Sequence, residues 1–524
     1  MDYLKIGKAT DLTGKEYKLY RFLEMLPGIL SWGTLIILVI FSYFQPVWVA
    51  VFIILFNIYW LLLVAYLAIH LVASFRALRK NEKVDWQTRC SELESREFKI
   101  KNIDGSVTTK AMAWTDLWQV VIMPTLNEDY AVFKTTLNAL MADQYPKDRM
   151  IIVLAIEERG GAEVKATAER IKEEFGNKFG RMIIAMHPDG IVGELKGKGA
   201  NQSWAAKELK ARIIDPEGLD YDAILVSVFD IDTVVYPGYF HNLTWRFFHA
   251  EHPHRSSYQP IPVYNNNIWQ APFFARIAAF SNTFWQMMLQ IREEKLATYS
   301  SHSMTWRTLS EIGFWSPKMV SEDSRIFFHS FFFYNGDYRV EPLHFPVSMD
   351  AVMDKNILRS ASNLYKQQRR WGWGVENVPY LIFNTIKHWK TIPKKKAIYQ
   401  ISVQIHGFHS WATNALIIAL IGRMPLWLGG SHFTSSVLST NLPIISQNLM
   451  NLAMVGMLLS AVVSMLLLPP KPKNFPFWKH IQVFLEWAFL PVAIVIFGAV
   501  PGLEAQTRLM FGKYMGFWVT PKKR

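Results

Sequence analysis

Four polar clusters follow one another along the chain: Glu157-Glu158, Asp230-Ile231-Asp232, Ser321-Glu322-Asp323 and Gln367-Gln368-Arg369-Arg370-Trp371. Carboxylate oxygens suit a hard divalent cation that keeps room for phosphate. A carboxylate beside a hydroxyl can serve as a general base. Arginine grips phosphate bidentately, and a tryptophan face stacks on a sugar ring. As a set the clusters suit holding a metal–diphosphate, deprotonating a hydroxyl and stacking a sugar. Each alone also has a plainer reading. Acidic pairs are common in solvated loops. Ser321 is a good N-cap, with Glu322 and Asp323 favourable in the first turn of a helix. The Gln/Arg/Trp cluster has the composition of an amphipathic interfacial helix. A fifth stretch, Gly193-Glu194-Leu195-Lys196-Gly197-Lys198-Gly199-Ala200-Asn201, opens a helix and offers phosphate both charge and a helix N-terminus. It lacks P-loop spacing and fits a surface loop equally well.

The elements that must position these groups are legible as alternating runs. Continuous apolar stretches at 118–123, 150–156, 181–186 and 223–229 read as strands. Stretches with helical periodicity lie between them, at 131–142, 162–175 and 199–209. Such alternation predicts a parallel sheet covered on both faces. Ligands of such sheets sit beyond the carboxyl ends of the strands, so residues 125–128, Glu157, Asp230 and Asp232 are expected to converge. Strand alternation puts Asp230 and Asp232 on the same side.

The chain has 524 residues, 51% of them hydrophobic, and a net charge of +13. Its basic residues gather beside apolar segments, the pattern of cytoplasmic membrane flanks rather than of a nucleic-acid surface. The single cysteine, Cys90, excludes an intrachain disulfide and a thiolate metal cluster. Spans are expected at 26–44 and 47–75, a hairpin with both ends cytoplasmic, and at 401–421 and 449–468. The run 481–500 is interrupted by Pro491 and followed by Pro501-Gly502. A single crossing there would leave Lys513, Lys522, Lys523 and Arg524 outside, so a proline-broken hairpin or re-entrant segment within 477–510 is expected. His302, His329 and His344 show no metal spacing. His406 and His409, in a membrane helix, read as helix–helix hydrogen-bonding groups.

Together these residues resemble a membrane-embedded family 2 glycosyltransferase of the cellulose- and hyaluronan-synthase type. Pro124-Thr125-Leu126-Asn127-Glu128 resembles the family's opening strand–loop, and Gln144-Tyr145-Pro146 its Q-x-P element. Asp230 and Asp232 match D-x-D, Glu322-Asp323 match T/S-E-D, and Gln367, Arg370 and Trp371 match Q-x-x-R-W. The tail Phe517-Trp518-Val519-Thr520-Pro521-Lys522 is similar to the F-x-V-T-x-K gating loop of cellulose synthases. Two departures stand out: Glu157 occupies a position usually held by Asp, and the spans are fewer than in large synthases.

The resemblance implies a GT-A fold, an α/β domain with a mostly parallel sheet flanked by transmembrane helices. It divides the chain into a cytoplasmic N-terminal segment (1–25), a transmembrane hairpin (26–75), a cytoplasmic linker (76–113), the GT-A domain (114–350), interfacial helices (351–397), a C-terminal transmembrane region (398–510) and a cytoplasmic tail (511–524). It implies Asp323, with Glu322 beside it, as the catalytic pair, Asp323 being the base. Asp232 would be the ligand of Mg²⁺ or Mn²⁺, and Gln367 and Trp371 would contact the acceptor. Thr125, Glu128, Glu157, Lys198, Asp230, Arg370, Thr520 and Lys522 would contact the nucleotide-sugar. The implied reaction is inverting transfer from a UDP-sugar to a growing polysaccharide at the cell membrane, coupled to export, with the catalytic domain cytoplasmic and membrane lipids and no nucleic acid as partners. Transfer of one sugar to a polyprenyl phosphate or glycolipid is the alternative enzyme. A transporter with an inactive sugar-binding domain is the alternative from another class, against which the complete acid set argues.

Overall fold

The computed structural model describes residues 2–472, 476 and 478–520. Lys473, Phe477 and the terminal residues 521–524, Lys522 among them, lie outside these. The described strands are β1 (Arg96–Lys101), β2 (Val107–Met112), β3 (Trp118–Thr125), β4 (Met150–Glu157), β5 (Arg181–His187), β6 (Ile224–Val228), β7 (Val234–Val235), β8 (Ser256–Val263), β9 (Ser303–Thr305) and β10 (Arg339–Ser348). Within the stretch read as a linker, β1 and β2 form an antiparallel hairpin. The other eight strands make one sheet in the order β5-β4-β3-β6-β9-β8-β10-β7.

Strands β5, β4, β3 and β6 pair in parallel, as expected of unbroken apolar runs buried on both faces. Val121, Met123, Ile152 and Leu154 point into one core. Their neighbours Val120, Ile122, Ile151 and Val153 point into the other. Beyond β6 the sheet turns mixed: β9 runs antiparallel to β6 and β8, β8 and β10 are parallel, and β7 closes the edge antiparallel to β10. The expected α/β architecture, a mostly parallel sheet with helices on both faces, is what forms. Register aligns the carboxyl ends, with Thr125 opposite Ile156 and Ile122 opposite Val228. The residues that follow β3, β4 and β6 therefore share one edge.

Among the described residues, four helices are long and apolar enough to cross a membrane: Gly14–Phe44, Pro46–Asn81, Val437–Leu467 and Trp478–Met510. A fifth arises if Lys394–Ala419 and Ile421–Leu428, bent by 42° at their junction, count as one span. Polar side chains pair between these helices. Ser31 donates to Gln506 at 2.7 Å, Asn57 to Ser446 at 2.9 Å, and His406 and His409 lie 3.0 Å from Tyr59 and Thr34, as read from the sequence.

The expected hairpin within 477–510 is not what forms. Trp478–Met510 is one helical run of 33 residues. The prolines are absorbed where the hydrogen-bond register changes: Pro491 follows a 3-10 turn (Glu486–Phe489) and Pro501 a π turn (Val495–Ala499), so each sits in the first turn of a new segment. A missing N–H is harmless at that position. His480 packs on Trp269, and Arg21 donates to the carbonyls of Leu509 and Met510.

One buried ion pair ties this run to the catalytic domain. Arg276, on the Phe273–Ile291 helix, grips Glu486 with Nε–Oε2 2.8 Å and Nη2–Oε1 2.5 Å. Breaking such a pair strands a buried charge and costs about 3–5 kcal/mol, whereas replacing both partners by apolar groups is close to neutral. Arg276→Met is therefore expected to lower the melting temperature in detergent clearly, and adding Glu486→Leu to restore most of it. Thermal unfolding of the two variants checks this.

Candidate active site

The edge formed by the strand ends gathers the acidic clusters around one cation. The side chain of Lys198, at the start of the Lys198–Leu209 helix, is only 10% exposed. Its Nζ lies 2.9 Å from Asp230 Oδ1, 3.0 Å from Asp323 Oδ1, 3.2 Å from Asp323 Oδ2 and 3.8 Å from Glu322 Oε1. Burial opposes the ammonium charge, but the carboxylates of Asp230, Asp323 and Glu322 outweigh it and hold the Lys198 pKa above the ordinary lysine value. The other oxygen of Asp230 accepts from Ser300 Oγ at 2.9 Å. Asp232 is buried, and its Oδ2 accepts from the backbone N–H of Asp350 at 3.0 Å.

Asp323 sits in the first turn of the Glu322–Phe333 helix, but Ser321 does not cap that helix through its side chain. The Ser321 hydroxyl donates to Glu376 instead, whose Oε1 also accepts the Ser321 backbone N–H at 3.0 Å. The other oxygen of Glu376 accepts from Trp373 Nε1 at 2.9 Å. Glu376 thus joins the turn before Asp323 to the residues just after Trp371. Arg325 adds a second tie, donating to Asn377 Oδ1 at 2.7 Å.

Thr125, Glu128, Glu157, Lys198, Asp230, Asp232, Asp323, Gln367, Arg370, Trp371 and Thr520 all line one cavity of about 860 Å³. Glu128 also organises its own loop, accepting from Thr125 Oγ1 at 2.5 Å and from the Leu126 N–H at 2.9 Å. Glu157 is held bidentately by Arg159, at 2.5 and 3.0 Å. The buried Nε of Arg370 has no hydrogen-bond partner among the described residues. Glu322 is apart from this group. It is 2% exposed, packs behind Asp323 against Gly199, and its Oε1 accepts no hydrogen bond.

The tail folds back over the cavity. Phe517 stacks under the Arg370 guanidinium, 4.9 Å from the ring centre. A Cβ on Gly197 would lie 2.5 Å from the Phe517 Cβ, so only glycine fits beneath the ring. Below Arg370, the Ile357–Gly372 helix meets the Trp478–Met510 run almost backbone to backbone. A Cβ on Gly372 would be 3.2 Å from the Gly502 Cα.

A family model described as glycosyl transferase family group 2 matches residues 225–498, more than half of the chain. The chain belongs to this family. The glycosyltransferase is also similar in fold to PcManGT, a mannosyltransferase of Pyrobaculum calidifontis solved with GDP-Man and Mn²⁺. That likeness has 14% identity and a TM-score of 0.39, and covers 75% of this chain and 99% of the other. A second likeness is to residues 1–349 of S. aureus TarS solved with UDP-GlcNAc, at 11% identity and TM-score 0.30, covering 66% and 90%. At such identity neither likeness speaks to donor or acceptor. Among curated proteins, none matches the chain.

Sequence reasoning overlooked two residues of this glycosyltransferase site. Asp350 lines the cavity just beyond the end of β10, and reading β10 as a strand would have exposed it. Glu376 carries no local signal of its role, because Ser321, which it anchors, lies fifty-five positions away in the sequence.

Burial, then the Asp323 charge, push the Glu322 pKa well above the ordinary carboxylate range, and Lys198 only partly offsets them. The folded chain thus holds that proton more tightly than the unfolded chain. This stabilisation is complete below the ordinary glutamate pKa, about 4.3, and is lost as pH rises through the raised folded value. Glu322→Gln, which mimics the protonated group, should match the parent's melting temperature near pH 4 and exceed it at pH 7. Melting curves across that range are the check.

Proposed function

We propose that this glycosyltransferase moves a sugar, with inversion, from a UDP-sugar to a growing polysaccharide that passes from the site into the membrane region. The observation that carries the reading is the cavity itself. From Asp230, Asp232 and Asp323 it continues between the Phe273–Ile291 helix and the membrane-length helices, where Trp60, Trp285 and Trp411 supply aromatic faces and Asn282, Gln404 and Asn414 supply amides. Rings and amides together suit a carbohydrate chain, which stacks on aromatic faces and exchanges hydrogen bonds. A purely aliphatic wall would suit a polyprenyl tail.

Among the described residues no three His, Cys, Asp or Glu side chains converge into a ready metal cage. Asp232, with Asp230 beside it, still fits a hard cation that arrives already coordinated by diphosphate, since Mg²⁺ needs only one or two protein carboxylates in that case. Bound there, Mg²⁺ or Mn²⁺ would offset the charge of the departing diphosphate. Arg370, whose Nε has no partner of its own, would bind the same diphosphate oxygens, and Lys198 would turn from the carboxylates towards them. Asp323 would then be free to accept the proton of the acceptor hydroxyl as that oxygen attacks the anomeric carbon and the nucleoside diphosphate leaves with the bonding electrons. Trp371 and Gln367 would hold the acceptor, and Thr125, Glu128, Glu157 and Thr520 the nucleotide. The basic flanks of the apolar helices support a multi-pass cell-membrane protein with its catalytic domain in the cytoplasm.

Purified protein incubated with radiolabelled nucleotide sugars should give a product of many sugar units. A product limited to monoglycosylated lipid would replace the polymer reading, and binding without any transfer would favour a transporter. Asp323→Asn should lower turnover by about 10²–10⁴-fold, the usual contribution of a general base, while UDP binding stays within a few-fold of the parent. EDTA should stop turnover and added Mg²⁺ or Mn²⁺ restore it. Metal-independent transfer would remove the role given to Asp232.

A further inference from the structure

The segment ahead of the first membrane helix lies outside the cavity, yet it is bound to two parts that line it. Ile6, Ala9 and Leu12 pack into a small core with Tyr20, Leu23 and Phe383. The Ile6 carbonyl accepts from Arg325 Nη1 at 2.9 Å, and Arg325 is on the helix that carries Asp323. Gly7 lies against the loop that leads to Ser321, so closely that a Cβ there would be 2.8 Å from the Lys318 carbonyl oxygen.

The other attachment runs through Glu24, which is 1% exposed. Its Oε1 accepts from the Ala9 N–H at 2.9 Å. Its Oε2 accepts from Tyr514 Oη and from Arg21 Nη1, both at 2.8 Å. Arg21 also holds the carbonyls of Leu509 and Met510. Those bonds fix the stem from which the tail departs, and Gly512, at φ +67°, turns the chain there.

Beyond the stem the tail is held by packing and ring contacts: Met515 and Phe517 pack against the cluster around Val320 and Trp373, and Lys366 lies over the Trp518 ring. Phe517 has its cation–π contact with Arg370 and its packing on Gly197. The buried hydroxyl of Thr520 has no partner among the described residues. At the tip Phe517 has one partly buried cation–π contact, whereas three hydrogen bonds converge on the buried Glu24 carboxyl. The stem, more than the tip, therefore decides where the tail lies. A diphosphate held by Lys198 and Arg370 would lie beside Phe517, so the position of the tail bears on donor binding.

We propose that Glu24 is a positioning residue for the tail that roofs the site, and that residues 6–9 act as a splint setting this roof against the helix that carries Asp323. The functional half of this inference rests on the glycosyl-transfer reading. Its structural half does not.

The test uses a spin label on the full-length protein. A cysteine at Gly516 would meet nothing within 4 Å, and the native Cys90 is buried and should not react. In Gly516→Cys the label, with no contacts of its own, should report the restricted motion of a tail backbone held at its stem. Adding Tyr514→Phe or Glu24→Gln should convert much of the spectrum to a mobile component, and Gly7→Ala should do so less strongly. Losing a hydrogen bond to a charged group corresponds to roughly a ten- to hundredfold change in an equilibrium. The donor KM, measured with the nucleotide sugar found to turn over, should rise by about that factor while kcat changes by less than about threefold, as for lost uniform binding. A merely structural defect would lower kcat and active fraction without moving KM.

A label equally immobile in Tyr514→Phe and Glu24→Gln would overturn the splint. A mobile label with an unchanged donor KM would overturn the positioning role. If the parent turns over no nucleotide sugar, the transfer reading fails, and the label spectra alone then decide whether Glu24 holds the tail.

Discussion

The site is organised by one buried ammonium. Removing a lysine charge from water is expensive, by several kcal/mol per ion, and only closely placed carboxylates offset it. Lys198 has two such neighbours from separate elements, Asp230 after β6 and Asp323 at the head of a helix, with Glu322 3.8 Å away beside Asp323. The ammonium lowers the repulsion these acids would feel from one another. The cation between them lets the acidic set exist in a folded chain before any substrate arrives. The parallel strand ends bring Asp230 to the meeting point, the Glu376 and Arg325 contacts bring Asp323, and the glycine before Lys198 lets the tail close over the top.

The parallel half of the sheet was legible in the sequence for a physical reason. Strands covered on both faces need unbroken apolar runs, and β3, β4, β5 and β6 have boundaries within one or two residues of those runs. The other half was hidden by chemistry of the opposite kind. Strand β8 reads Ser-Ser-Tyr-Gln-Pro-Ile-Pro-Val and is fully buried despite its polar residues and prolines. Its polar groups are met individually: Ser257 lies 2.7 Å from the Tyr338 hydroxyl, and the Gln259 carbonyl accepts from Gln290. No hydrophobic period records bonds of that sort. Asp350 stayed unnoticed with β10, since a residue gains meaning from the strand it follows.

The membrane run shows the converse limit. Pro491 and Pro501 suggest breaks because proline removes a donor from a regular helix. A 3-10 turn and a π turn shift the hydrogen-bond register before each, and the missing N–H then falls where none is required. Whether a proline bends a helix or starts a new turn of it depends on register upstream, which composition does not carry. Ser321 illustrates the same limit at the site. Its side chain has the chemistry of a helix cap, but a buried glutamate more than fifty positions away claims the hydroxyl instead.

Where Gly372 faces Gly502, no side chain separates the Ile357–Gly372 helix from the Trp478–Met510 run. A side chain added at Gly372 would push the two apart and carry Arg370 and Trp371 with it. A larger residue at Gly372 would therefore imitate a chemical defect, whereas a Cβ at Gly502 would meet Trp411 only at an ordinary contact distance of 3.4 Å. In a survey of mutants Gly372 would score like a residue of the site itself.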